Sequence, residues 1–137
     1  MLELEGINYW AVAVAWLLYV VVGAFWYSPA GFGKLWAKLS GVNHMKLPDN
    51  ESTKAIVFVA LSAIVQVFVL AIVMNTFNVT AVEDALIVGA TLWAGFTAAT
   101  TVGNTLYQRL GWKFWWLNAS YFLLVMLVAS IIFALWR

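Results

Sequence analysis

The sequence predicts an all-α integral membrane protein: a four-transmembrane-helix bundle with a short amphipathic interfacial helix after the first span. Three observations predict it. Of the 137 residues 65% are hydrophobic and only 9% charged, against about 25% charged in a soluble domain. Mean hydropathy is +0.92, and a soluble chain this short could not cover so much apolar surface, so hydrocarbon must be its solvent. The uncharged stretches 6–33, 55–82, 85–108 and 114–136 are each long enough to cross a bilayer, which takes about 20 apolar residues per helix. Strands would leave their backbone unpaired in lipid unless a barrel closed, and no period-2 alternation is present.

The first span is expected over about 7–27. It ends in Trp26-Tyr27-Ser28-Pro29. Ser28 suits an N-cap and Pro29 a first helical position, so a second, interfacial helix is predicted over about 29–40. Phe32, Leu35, Trp36 and Leu39 fall on one face of it, with Lys34 and Lys38 elsewhere, and Gly41 can stop it in a left-handed turn. Such a helix lies in the interface, apolar face down and lysines toward headgroups. The segment 41–53 holds the sole histidine, His44, with Asp49 and Glu51. One histidine and two carboxylates in a loop are a weak metal signal, so a solvated loop is expected. Pro48 and the acidic residues after it open the next helix.

The second span is expected over about 55–77, with Gln66 near its middle. The third, about 85–107, carries Thr91, Gly95, Ala99 and Gly103 at four-residue steps, a small-residue face suited to close helix packing within the monomer or between copies. Beside that face lies a polar set of Thr97, Thr100, Thr101, Asn104, Thr105 and Gln108. Threonines can bond back to the preceding turn, but Asn104 cannot satisfy its whole carboxamide that way. The fourth span, about 115–136, brings Asn118, Ser120 and Tyr121 to the same end. These polar groups read as packing glue between helices, Gln66 and Thr97 at the midplane included. The alternative is a polar pocket formed by Tyr27, Ser28, Lys34, Asn104, Gln108, Asn118 and Tyr121.

Six of the seven Lys/Arg (Lys34, Lys38, Lys46, Lys54, Arg109 and Lys113) fall in the first and third connections. By the positive-inside rule the connections 28–54 and 108–114 face the cytoplasm and both termini lie outside, in a multi-pass protein of the cell membrane. Trp10 and Trp136 then belong to the outer aromatic belt, and Trp26, Trp112, Trp115 and Trp116 to the inner one. Trp16 and Trp93 lie deeper, facing either a shared core layer or lipid.

No Lys/Arg-rich face exists to neutralise phosphates, so nucleic acid is not an expected partner. There are no cysteines, which removes disulfides and thiolate chemistry. No Asp, Glu, Lys, Arg or His lies inside a predicted span, as proton-coupled transport would ordinarily require. No Ser/His/Asp set, HExxH or phosphate loop is present, so no catalytic residue, metal or cofactor is expected.

The stretch WYSPAGFGKLWAKLSG at 26–41, LWAGF at 92–96, WKFWWLNASY at 112–121 and the terminal LWR together resemble the domain-of-unknown-function 1761 family. The family comprises small four-helix membrane proteins of bacteria and archaea. The specific part is WYSP with F-G-K-x-W. The resemblance implies motif residues at Trp26, Tyr27, Ser28, Pro29, Phe32, Gly33, Lys34, Trp36, Trp93, Gly95, Asn118 and Tyr121. In the family pattern the position after Tyr121 is often histidine, and here it is Phe122, so an activity resting on that histidine would be missing from this chain. The family assigns no chemistry. The expectation is a non-enzymatic bundle that self-associates within the lipid bilayer. The alternative is a carrier or channel for a small neutral or weakly polar solute, with a polar mouth on the cytoplasmic side.

Overall fold

The computed structural model describes residues 1–137 and is all-helical, without strands. Four helices are long and apolar enough to cross a membrane: α1 (Tyr9–Trp26), α3 (Asp49–Thr76), α4 (Val82–Tyr107) and α5 (Gly111–Leu135). A short helix, α2 (Gly33–Ser40), and a 3₁₀ turn at His44–Lys46 fill the connection between α1 and α3. Both termini lie at one end of the molecule, and α2 lies at the other.

Asn8 starts α1 by accepting from the amides of Trp10 and Ala11 at 3.0 and 3.2 Å. The predicted second helix begins four residues later than expected. Ser28 is not its cap; the Ser28 hydroxyl donates to the Phe25 carbonyl at 2.7 Å. The chain turns sharply instead, with Phe32 N–H donating to Trp26 O and the amides of Gly31 and Gly33 to Ser28 O. A Cβ at Gly31 would strike the Phe25 carbonyl oxygen, and one at Gly33 the Tyr27 carbonyl oxygen, so both positions require glycine. α2 ends at Gly41 in the left-handed conformation (φ 76°), as its sequence predicts.

α5 is the central helix. α4 packs along one side of it and the α1–α3 pair along another, while α3 and α4 barely touch. The main core stacks Ala11, Ala15 and Tyr19 of α1 and Ala63, Val67 and Met74 of α3 on Tyr121, Val125, Ala129 and Phe133 of α5. Alanines at the contacts bring the backbones close. The small residues of α4 that pack inward are Ala85 and Gly89, not the predicted set. Ser130 sits where a Cβ on Gly89 would be, 2.5 Å from it. Thr91, Gly95, Ala99 and Gly103 are all exposed, and no atom lies within 4 Å of a Cβ added at Gly95 or Gly103. That face therefore makes no contact inside the monomer.

A π-helical turn over Trp93–Ala98 re-aims the second half of α4. It is marked by the Ala99 amide donating to Ala94 O, five residues back. The inward face runs Ala85, Gly89, Trp93, then Ala98, Thr101 and Thr105, so the five-residue step falls on the wide turn. Hydroxyls occupy carbonyls of that turn: Thr100 donates to Phe96 O at 2.8 Å and Thr101 to Thr97 O at 2.7 Å.

Only 26 of 137 residues are buried, and the exposed ones include long runs of Leu, Ile, Val and Phe. On α3 the sequence Ile56-Val57-Phe58-Val59 faces entirely outward. No monomer in water carries such continuous apolar surface.

Candidate functional site

Tryptophans, rather than the amides marked in the sequence, supply most side-chain hydrogen bonds between the long helices. Trp16 Nε1 donates to Ala60 O on α3 at 2.9 Å, and Trp26 Nε1 to Leu117 O on α5 at 3.2 Å. Trp93 Nε1 donates to Ala119 O at 2.8 Å. Trp115 Nε1 donates back to α4, to Ala98 O and Thr101 Oγ1 at 3.2 and 3.1 Å. A carbonyl oxygen has a second lone pair for such a donor while its helix bond persists. Trp115 is buried and Trp26 half-buried, both tied into the bundle, while Trp112 and Trp116 remain exposed. Trp16 and Trp93 pack in different clusters and share no layer.

At the α2 end this framework leaves a cavity of about 450 Å³ between α1, α2, α4 and α5. From the sequence-predicted set it gathers Tyr27, Asn104, Gln108 and Asn118, together with Thr97. The Tyr27 hydroxyl donates to Asn118 Oδ1 at 2.7 Å, linking α1 to α5. Thr101 is engaged with Trp115 and its own helix. The carboxamides of Asn104 and Gln108, one helical turn apart and both exposed, make no hydrogen bond within the chain, and the Asn118 amide nitrogen is likewise unengaged. No Asp, Glu, Lys or Arg lines the cavity.

Three predicted members do not line this cavity. Ser28 is tied to α1, and Lys34 is exposed on α2. Tyr121 is buried, and its hydroxyl donates to Tyr19 O at 2.8 Å. Gly23 makes room for it, since a Cβ there would lie 2.7 Å from the Tyr121 oxygen. Gln66 is exposed on α3 and borders neighbouring grooves with Tyr19 and Phe122, so it is not glue between packed helices.

Sequence reasoning missed His44, which is docked rather than solvated. Its Nε2–H donates to Tyr27 O at 2.8 Å, and its ring stands edge-on to Trp36 at 4.6 Å. Nδ1 is buried without a partner. Trp36 also meets Phe114 of α5 (5.9 Å) and Tyr27 (6.4 Å), so it turns α2 onto the bundle as a wall of the cavity. Phe122 lines the cavity where the family pattern suggested histidine.

The cavity can hold a small molecule by hydrogen bonds from amides, hydroxyls and an indole wall. Its one imidazole is that of His44, and no carboxylate, ammonium or guanidinium lines it. No curated protein and no solved structure matches the chain. The model of one family, described as protein of unknown function (DUF1761), matches residues 10–134 and so covers nearly the whole helical bundle; the chain belongs to that family.

Proposed function

We propose that the protein is a multi-pass membrane protein of a prokaryotic cell that binds a small uncharged polar solute from the cytoplasmic side and acts as its carrier. The observation that carries this reading is the 450 Å³ cavity with uncharged hydrogen-bonding walls at the α2 end, a volume within the roughly 300–1,000 Å³ of small-molecule sites. Insertion rests on the four apolar helices and on their outward-facing apolar surface. Orientation rests on the lysines and arginines of the 28–54 and 108–114 connections, which the positive-inside rule assigns to the cytoplasm. On this topology α2 lies at the cytoplasmic interface, with Lys34 and Lys38 toward headgroups. A carrier fits better than an open channel, because Val67, Met74 and Ser130 are fully buried and close the core toward the termini.

The chain has no cysteine, so single replacements report cleanly. Asn104→Cys and Asn118→Cys should react with a water-soluble maleimide in membranes, and Gly95→Cys should not. Inert thiols at 104 and 118 beside a reactive loop control at Lys46→Cys would refute the pocket.

A second reading is favoured by the small-residue face. Thr91, Gly95, Ala99 and Gly103 line an exposed stripe with open space beside both glycines, the kind of surface on which membrane helices associate. We propose that copies meet there. Crosslinking in mild detergent should give an oligomer that Gly95→Leu or Gly103→Leu abolishes. An added Cβ meets nothing in the monomer at either glycine, so an unchanged oligomer with both leucines would end this reading.

A further inference from the structure

We infer that the solute is an amphiphile: an uncharged hydrogen-bonding head in the cavity and a hydrocarbon tail in the groove that adjoins it. This deepens the pocket reading and rests on it. The groove lies between α3 and α4, the two neighbours that barely touch, and has a volume of about 600 Å³. Val65, Val69 and Val73 form its α3 wall, Leu92 and Phe96 its α4 wall. Phe122 and Met126 of α5 are its floor.

Groove and cavity adjoin. Thr97, Thr101 and Phe122 belong to both. The polarity changes from one to the other. Toward α2 come Asn104, Gln108 and Asn118; past Phe122 the lining is mostly apolar, with Gln66 and Tyr19 its polar members. Val65, Val69 and Phe96 are more than half exposed, so the groove opens sideways to whatever surrounds the helices, which on the proposed topology is hydrocarbon. A molecule with a head and a tail satisfies both halves at once. A polar solute alone would leave the groove to lipid, and an alkane alone would leave the Asn104 and Gln108 carboxamides unpaired, a cost that favours the matched ligand. The head is uncharged because no carboxylate, ammonium or guanidinium lines the cavity, and its one imidazole, His44, is tied through Nε2 to the Tyr27 carbonyl; an ionised head would be desolvated without compensation. Phe122 fits the same picture, since an aromatic ring at the junction can pack on the first carbons of a tail.

The test uses Thr97→Cys in nanodiscs, which lines the cavity and leaves the Asn104, Gln108 and Asn118 carboxamides in place, with Thr105→Cys as the second reporter should the first fail to fold, and follows the rate of maleimide labelling. A long-chain monoacylglycerol should slow labelling about tenfold, corresponding to about 1.4 kcal/mol of occupancy. Glycerol, an alkane of the same length and the matching ionised fatty acid should each change the rate less than twofold. Val69→Trp, which obstructs the groove without touching the cavity, should restore fast labelling in the presence of monoacylglycerol. Fast labelling that no amphiphile slows would overturn the inference and leave the solute pocket standing. Equal slowing by the alkane would also overturn it. Absence of labelling in both reporters would sink the pocket itself. A Phe96→Cys crosslink between copies that survives excess monoacylglycerol would assign the groove to a second chain instead.

Discussion

Single residues decide how closely these helices approach. Gly89 and Gly103 sit on one helix and differ only in what faces them. At Gly89 an added methyl lies 2.5 Å from Ser130 Oγ, and at Gly103 it meets nothing. Gly89→Ala should therefore destabilise the protein by about 1–3 kcal/mol, the usual cost of overpacking. Gly103→Ala should leave the stability of the monomer unchanged or slightly higher; denaturation in detergent, followed by tryptophan fluorescence, compares the two. Tyr27→Phe removes the bond to Asn118 and should cost about 0.5–1.5 kcal/mol. It should also free the Asn118 carboxamide and increase labelling of a nearby thiol.

Among the elements, α4 carries the least predictable feature. Its apolar composition and length were legible in the sequence, as were those of the other three long helices, because uncharged stretches bounded by charges need no tertiary information. The π turn at Trp93–Ala98 was not legible: WAGFTA carries no proline and no polar signal, and the extra residue only re-aims side chains that follow it. That re-aiming turned Ala98, Thr101 and Thr105 inward and left Gly103 outside, whereas Thr91 and Gly95, before the wide step is complete, already face outward. The clustering of Tyr27, Asn104, Gln108 and Asn118 at one end followed from span ends alone. The docking of His44 did not, because its partner is a backbone carbonyl 17 residues away and its wall a tryptophan on another helix. Trp115→Phe tests the turn directly. It removes both bonds from α5 to Ala98 O and Thr101 Oγ1, and membrane-helix hydrogen bonds contribute about 0.6–2 kcal/mol each. Amide exchange should speed up around 94–102 while the α1–α3 contact stays protected. At the opposite end Arg137 ties the α3–α4 turn together, donating to Asn78 Oδ1 at 2.8 Å and to the carbonyls of Met74 and Val79 at 3.3 Å. Arg137→Ala should loosen that turn, read as faster exchange at Val79, without altering thiol labelling at the α2 end.

At the scale of the whole molecule, the account depends on a polypeptide turned inside out: aliphatic side chains on the exterior and a polar, uncharged depression reaching inward from one end. A scan of spin labels in nanodiscs, read by collision with oxygen and with a water-soluble nickel chelate, measures both at once. Labels at Leu61, Ile64 and Val65 should collide freely with oxygen and hardly with nickel, and a label at Asn104 should be reached by nickel despite its place on a long apolar helix. Nickel collisions at Leu61, Ile64 and Val65 as frequent as at Lys46 in the 28–54 connection, or none at Asn104, would contradict the account.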